Sequence, residues 1–428
     1  MVTKEELSMA SFDFLRAIAG MVKTELRSCP THNQESTWMV RTGPGRMTGQ
    51  KFTRSIFDRR AISMIYQKHS FDPFPEQENL ENLLAQAGIE IQAIRYGYTL
   101  PLIYWWLDAP NPFALNKQDL SIVLDGFNNA VLKGEVIVRS RDAIVGLKFI
   151  SDQLVFEKDI HIRPIMEEEL WEYGDTDNLG VRFGMSSWLR WLSEDWLILD
   201  ISLPCKTLKV FPPNAIGQTR QAVFTALLLL ASGSFQVYDL GCDLNYGVGA
   251  PGRVYSGEEI PRHYGLAGEA YTLDESMAER LKQSWPHIRR ITQSEGHYLR
   301  LPAMRLLDGG SRLRPDDAII DYAIGLEALL TAGTDKELGY RFALRGAMVL
   351  TWDKTSKKSD KAKVFRKLRD FYKARSGIVH GQIISKSKLD DFRSFGELAL
   401  RDIWWWYFKK RDKGLTATVS AIDDRILT

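Results

Sequence analysis

The sequence changes character after Leu273, and this change constrains the fold more than any other feature. From that point, helical patterns with one apolar stripe each follow one another almost to the end of the chain. The patterns cover about 274–294, 297–308, 315–332, 336–351, 361–380 and 388–411. Helices that each bury one face in this way form bundles. The sequence therefore predicts an all-α domain over residues 271–428.

Residues 1–270 have a different pattern, in which short alternating or β-branched runs predict strands. The runs are EVIVRS (135–140), LVFEKDIHIRPI (154–165), DWLILDISLP (195–204) and SFQVYDLGCDL (234–244). Helical patterns cover 4–27, 117–132 and 214–232, and the polar, Gly- and Pro-containing stretch 29–51 is typical of a loop. We therefore expect the fold class α+β, with a largely antiparallel N-terminal α/β region of one or two subdomains before the helical bundle.

The charge balance shows that any site for a polyanion must come from local clustering. Lys and Arg total 56 and Asp and Glu total 54, which gives a net charge of +2. A strongly basic chain would favour nucleic-acid binding through its overall field, and this chain has no such excess. The distribution of the basic residues along the sequence is therefore the informative feature.

Cysteine and histidine spacing predicts neither disulfides nor a metal site. Cys29, Cys205 and Cys242 are odd in number and far apart, which fits a reducing compartment. The seven histidines are scattered, and the sequence has no HExxH motif or His/Cys pair at ligand spacing. We expect no metal and no cofactor.

The apolar runs predict no contact with a membrane. The N-terminal segment is charged where a secretory signal would be apolar. The longest apolar run, 222–231, is far shorter than the ~20 residues that cross a bilayer. We therefore expect a cytoplasmic protein that does not associate with membranes.

A basic run lies in the helical pattern at 361–380 and the segment before it. The segment 354–375 has only two acidic residues, Asp360 and Asp370. Its ten basic residues are Lys354, Lys357, Lys358, Lys361, Lys363, Arg366, Lys367, Arg369, Lys373 and Arg375. On a helical wheel, one sector holds Phe365, Leu368, Phe371, Tyr372, Ile378 and Val379, and the opposite sector holds Lys363, Arg366, Lys367, Arg369 and Lys373. His380 projects into this basic sector. The pattern fits either an ordinary solvated face or a track for a phosphate backbone that leads to an imidazole.

Arg375 differs from its basic neighbours because the wheel places it in the apolar sector. A guanidinium there needs an anion or strong acceptors. The helix at 315–332 offers Glu327 among core-facing residues, so we expect a buried Glu327–Arg375 pair. Such a pair either fixes helix register or holds the guanidinium so that its free edge meets a phosphate.

Two segments together resemble a known family. The stretch RLRPDDAIIDYAIGLEALLTAGTDKELGYRFALRGAMVL, followed by FRKLRDFYKARSGIVHG, resembles the ApeA-like HEPN domains of prokaryotes over about 140 residues. These domains couple an acidic LEALL helix to an R-S-x-x-x-H-G segment. The N-terminal region has a looser similarity to the variable regions that accompany such domains in anti-phage defence proteins.

The resemblance implies a function. HEPN nucleases are metal-independent endoribonucleases, often with a site composed across a homodimer. Carried over here, His380 acts as general acid or base and Arg375, held by Glu327, stabilises charge on the phosphate. By the same resemblance, the residues of the basic sector contact RNA together with Ser376. Ser376 follows Arg375, at the position where many active HEPN nucleases have Asn, Asp or His.

Three hypotheses follow from the sequence. The first is an anti-phage or abortive-infection ribonuclease that cuts RNA as a homodimer after its N-terminal region senses a trigger derived from a phage. The second is a catalytically inactive HEPN domain that serves as a dimerisation or nucleotide-binding scaffold. The third places an enzyme in the N-terminal region, where no recognisable catalytic cluster supports it.

Overall fold

The structure is a computed structural model of the 428-residue chain. The residues it describes are 2–26, 31–43, 46–57, 73–89, 94–99, 102–103, 124–125, 128, 131–132, 136–149, 153–166, 196–205, 214–231, 233–245, 252–255, 262–264, 271–333, 336–352 and 358–427. Two compact units contain these residues. The first unit comprises Met1–Val145, Glu157–Gly217 and Tyr238–Pro261, and the second comprises Gly146–Phe156, Gln218–Val237 and Arg262–Thr428.

The first unit begins with two helices that pack on each other. They are α1 (Lys4–Leu26) and α2 (Pro75–Gln86). The apolar stripe of α1 is buried, and Phe14 stacks on Phe74 with ring centroids 5.8 Å apart. A short π-helical segment, Ile94–Thr99, contributes the buried Tyr98, whose hydroxyl donates to Asn128 at 2.8 Å. Helix α1 therefore forms where the sequence pattern predicts it.

The chain between α1 and α2 forms a β-hairpin that the sequence interpretation missed. Strand β1 (Thr31–Gly43) pairs antiparallel with β2 (Arg46–Phe57), with Thr31 opposite Phe57 and Gly43 opposite Arg46. The prediction of a loop over 29–51 is therefore wrong for 31–43 and 46–51, and residues 29–30 and 44–45 lie outside the described residues. The strands contain many Thr, Gln and Arg residues, and in a hairpin the backbone pairing can form without a continuous apolar face.

The sheet of the first unit is antiparallel, as predicted. Its strands are β3 (Val136–Val145), β6 (Ile160–Pro164), β7 (Leu197–Cys205), residues 238–245 of β8 (Phe235–Asn245), and β9 (Gly252–Tyr255). Strand β7 lies between β3 and β6 and pairs antiparallel with both, and β8 pairs antiparallel with β9. Buried Asp200 on β7 accepts hydrogen bonds from Arg139 and Arg163 on the flanking strands, so it is held as a paired charge.

The second unit holds the helical bundle. Its helices are residues 218–230 of α3 (Asn214–Leu230), α4 (Glu275–Gln293), α5 (Arg300–Ser311), α6 (Pro315–Leu330), α7 (Leu338–Leu350), α8 (Lys358–Val379), α9 (Lys386–Phe408) and α10 (Leu415–Leu427). Short strands accompany them: β4 (Leu147–Phe149) parallel to β11 (Tyr271–Leu273), residues 154–156 of β5 (Leu154–Glu157), and β10 (Arg262–Tyr264) against residues 235–237 of β8. The helices after Leu273 thus share a unit with segments 146–156 and 218–237, which the sequence division at residue 270 assigns to the N-terminal region.

Close helix packing in this bundle depends on glycine. Helix α6 packs against α5 and α9, and α7 packs against α8. A Cβ atom at Gly325 would lie 2.8 Å from Leu400, and one at Gly309 would lie 2.3 Å from the ring of Tyr322. Both distances are shorter than real Cβ contacts, so a larger residue at either position would push the helices apart.

Three side chains cap the C-terminal end of α3. The last carbonyls of a helix have no partner within the helix. Here Arg401 donates to Leu228 O at 2.6 Å and Trp405 to Leu229 O at 2.5 Å, while the Tyr271 hydroxyl donates to Leu227 O. The aromatic run at 404–408 is therefore largely core, and the half-buried Trp406 packs on Trp352 with ring centroids 4.8 Å apart.

Candidate functional site

Helix α8 carries the basic face that the wheel predicts. Its exposed basic side chains are Lys363, Arg366, Lys367, Arg369 and Lys373. The opposite side is buried, with Leu368 and Phe371 fully inaccessible. Lys354 and Lys357, which extend the run in the sequence, lie outside the described residues. The structure therefore presents five cations to solvent along one helix.

The predicted contact between Glu327 and Arg375 is confirmed. Helices α6 and α8 bring Arg375 Nη2 to 3.4 Å from Glu327 Oε2. The predicted deep burial is wrong, because the side chains remain 28% and 23% exposed, respectively. A helical wheel gives the direction of a side chain and leaves its depth undetermined. This pair therefore lies at the rim of the core, with both side chains partly exposed.

Tyr372 is a third member of this cluster and was missed by sequence reasoning. It precedes Arg375 by three residues, so both side chains project from the same side of α8. Partial burial, the Glu327 charge and a hydrogen bond to that carboxylate raise the pKa of the Tyr372 phenol. Its ring packs on Phe342, with centroids 5.1 Å apart. In the sequence, Tyr372 has the same signal as any aromatic core residue, so only the structure reveals its polar contact.

The end of α8 explains the geometry of the RSGIVHG segment. Gly381 N donates to Ile378 O at 3.0 Å, and Gln382 N donates to Gly377 O at 2.8 Å. Gly381 has φ +77°, the left-handed conformation that glycine adopts without strain. These features define a Schellman motif, in which a glycine closes a helix C-terminus. His380 is therefore the C-cap residue of α8, directly before Gly381.

His380 and Ser376 occupy different environments at this helix end. The His380 side chain is exposed, and its backbone N–H donates to Ser376 O at 3.1 Å. Ser376 itself is half-buried. The sequence also places Val379 in the apolar sector, but 54% of its surface is exposed because the helix ends there. The imidazole is thus free to meet a ligand from solvent.

Arg375 and His380 project to different sides of α8. The helix continues through Gly377 to Val379 without interruption, so Gly377 introduces no local distortion. Five residues on a regular helix are about 140° apart. Arg375 faces α6 through Glu327, whereas His380 lies at the exposed helix end. Arg375 and His380 of one chain therefore point in different directions from α8.

The described part of the chain lacks both a metal-binding cluster and a membrane-spanning helix. Among those residues, no group of three or more His, Cys, Asp or Glu side chains is arranged to hold a metal ion. No helix among them combines the length and apolar character needed to cross a bilayer. Comparison of the chain with protein-family models, curated proteins and solved structures found no match.

Proposed function

We propose that the helical bundle of the second unit is a HEPN-type domain and that the protein is a metal-independent endoribonuclease. The single observation that carries this proposal is the arrangement on α8, where five exposed cations precede an exposed histidine at the helix end. Exposed Lys and Arg side chains along one helix attract a phosphate backbone. His380 then meets the RNA at the end of this track.

The chemistry is an internal transesterification of RNA. The 2′-oxygen attacks the adjacent phosphorus, a new O2′–P bond forms, and the P–O5′ bond breaks. One proton leaves the 2′-hydroxyl and one joins the 5′-oxygen, so the products are a 2′,3′-cyclic phosphate and a 5′-hydroxyl. Histidine suits both transfers because its pKa lies near neutrality. In this scheme, Arg375 stabilises the negative charge that builds on the phosphate.

The site is proposed to be shared between two copies of the chain. Arg375 of one copy and His380 of the other can serve one phosphate, even though they project to different sides of their own helix. We therefore expect a homodimer formed through the bundle. In this scheme the N-terminal region senses a phage-derived trigger, and the protein acts in anti-phage defence or abortive infection.

The deciding experiment uses the full chain, total RNA and EDTA, with the trigger supplied by phage-infected extract. We expect fragments that end in a 2′,3′-cyclic phosphate. His380→Ala should remove cleavage, whereas His287→Ala, which changes a histidine on α4, should retain it. Intact RNA with wild-type protein, or undiminished cleavage by His380→Ala, would contradict the nuclease proposal.

Subunit complementation tests the shared site. Arg375→Lys keeps the charge and removes the forked donors, so a homodimer of this variant should be nearly inactive. Mixing it with His380→Ala should restore part of the activity, because some mixed dimers contain one site with both native residues. A mixture that stays as inactive as its components would place both residues in one chain.

A catalytically inactive scaffold is the second candidate function. The observation that favours it is that the motif residues also have structural contacts. Gly381 closes α8, and Arg375 joins α8 to Glu327 on α6. A protein that dimerises and binds nucleotide or RNA without cutting it would support this candidate.

A further inference from the structure

A groove between α8 and α9 continues from the basic face. Its volume is about 780 Å³, within the usual range for small-molecule sites. The turn at 380–385 joins the two helices, and Gln382 and Ile384 from this turn line the groove. Lys367 and Lys373 line it from α8, so two of the five basic-face residues border the groove as well.

Two phenylalanines of α9 give the groove flat apolar walls. Phe392 and Phe395 line it and are half-buried. Both rings contact the fully buried Phe371 edge-to-face, at centroid distances of 6.4 and 5.9 Å, respectively. A buried ring beneath them fixes their orientation. Rings that are held in place and reachable from solvent are suitable for stacking with a planar ligand.

The charged groups of the groove suit a phosphate on each side of such a ligand. Lys367, Lys373 and Lys388 line it, against Asp370 and Asp391. The Lys367 ammonium lies 4.6 Å from the centroid of the Phe395 ring. This cation–π contact is exchangeable, because the ammonium can move to a phosphate while a base takes its place on the ring.

Gln382 adds hydrogen-bonding capacity at the end of the groove near the turn. Its backbone is fixed by the Schellman motif through the bond to Gly377 O. The side-chain amide carries donors and an acceptor, which can pair with the edge of a base. Together, these groups provide stacking surfaces, an amide and cations, which are the elements that proteins use to hold single nucleotides of RNA.

We propose that the α8–α9 groove binds one nucleobase of an RNA strand whose phosphates lie on the basic face. The proposal rests on the proposed function for its RNA ligand but needs no cleavage. The base stacks on Phe395 or Phe392, Gln382 contacts its edge, and Lys367, Lys373 and Lys388 meet the flanking phosphates. The groove thereby positions the strand relative to the helix end that carries His380.

The test compares two ligands of equal charge. One is a labelled oligoadenylate, and the other is a strand of the same length made of abasic ribose phosphates. Binding is measured by fluorescence anisotropy with the full-length His380→Ala variant, so that no cleavage disturbs equilibrium. We expect oligoadenylate to bind more tightly, by on the order of tenfold, because stacking on an aromatic ring contributes that much per base.

Groove variants should remove this preference selectively. Phe395→Leu and Gln382→Ala should weaken oligoadenylate binding and leave the abasic strand unchanged. Arg369→Glu on the basic face should weaken both ligands alike. Tyr340→Leu is the matched control, because Tyr340 is an exposed aromatic residue on α7 that does not line the groove. Circular dichroism establishes whether each variant folds. If Phe395→Leu does not fold, Gln382→Ala still tests the groove, because Gln382 is exposed.

Equal affinity of the two ligands for the parent protein would overturn the groove proposal, and so would a retained preference in folded Phe395→Leu and Gln382→Ala. Neither result tests cleavage. Cleavage is tested separately, with wild-type protein and RNA in EDTA. Failure of the nuclease proposal with a persistent base preference would leave the groove proposal standing. Loss of all RNA binding would end both.

Discussion

The Glu327–Arg375 pair should contribute little to stability, and this determines how its variants are interpreted. The contact is one hydrogen bond of 3.4 Å between side chains that are 28% and 23% exposed. Ion pairs that solvent reaches contribute ~0–1 kcal/mol. We therefore expect Arg375→Ala to lower the free energy of unfolding by about 1 kcal/mol. For a domain of this size, that corresponds to a shift in Tm of about 2–4 °C.

Arg401 supplies the matched control in the same bundle. Arg401 and Glu397 are 6% and 1% exposed, Arg401 Nη2 lies 2.5 Å from Glu397 Oε1, and Arg401 also donates to Leu228 O. Burial raises the pKa of Glu397, so its charge depends on this partner. Removing one member of a buried pair costs roughly 3–5 kcal/mol. We expect Arg401→Leu to lower Tm by roughly 6–20 °C.

Calorimetry of the full-length variants measures both shifts in Tm. If Arg375→Ala unfolds at nearly the temperature of the wild type while Arg401→Leu does not, a loss of RNA cleavage in Arg375→Ala or Arg375→Lys can be attributed to chemistry. A loss of stability in Arg375→Ala as large as that in Arg401→Leu would refute the reasoning, because the pair would then be a buried structural contact.

Three further predictions concern Tyr372, Gly381 and His287 in the same bundle. Glu327→Gln should lower the pKa of Tyr372 towards its ordinary value, because the carboxylate that disfavours the tyrosinate is gone, and tyrosinate absorbance during titration measures this. Gly381→Ala should lower the free energy of unfolding by about 1–2 kcal/mol in urea titrations, because alanine is strained at φ +77°. Burial and Arg411 lower the pKa of His287, so stability should fall as the pH drops through the ordinary histidine value of 6.5, and His287→Gln should reduce that loss.

Patterns that depend on nearby residues made much of the fold predictable. Helix α3 was expected at 214–232 and spans Asn214–Leu230, and α6 was expected at 315–332 and spans Pro315–Leu330. An apolar stripe of period 3.6 specifies such helices by itself. The boundaries differ by a residue or two because helix ends depend on capping contacts.

Elements that depend on distant partners were missed. The β1–β2 hairpin has too little apolar alternation to be distinguished from a loop, and its strands satisfy their backbone groups through each other. The helical patterns in the sequence end at about residue 411, but the chain beyond Lys413 forms α10, with Ile422 buried and Asp423 paired to Arg345 at 2.7 Å. The sequence near Ile422 and Asp423 does not indicate what they contact, because the contacts come from distant parts of the chain, such as Arg345 on α7.

The candidate site shows the same division between local and distant information. The wheel predicted the exposed face of α8, and the need to pair a guanidinium predicted the contact with Glu327. Tyr372 could not be found in this way, because its hydroxyl contacts Glu327 on another helix.

The regularity of α8 leads to the strongest constraint on mechanism. A nuclease site within one chain would need Arg375 and His380 on one side of the helix, and a bulge at Gly377 could have produced that. The helix has no such bulge, and a Cβ at Gly377 would lie 2.4 Å from Gln382 Oε1. The Gln382 side chain therefore lies against Gly377 at the helix end. Under the proposed nuclease mechanism, cleavage therefore requires a second copy, so a protein that remains monomeric at assay concentration should bind RNA without cutting it.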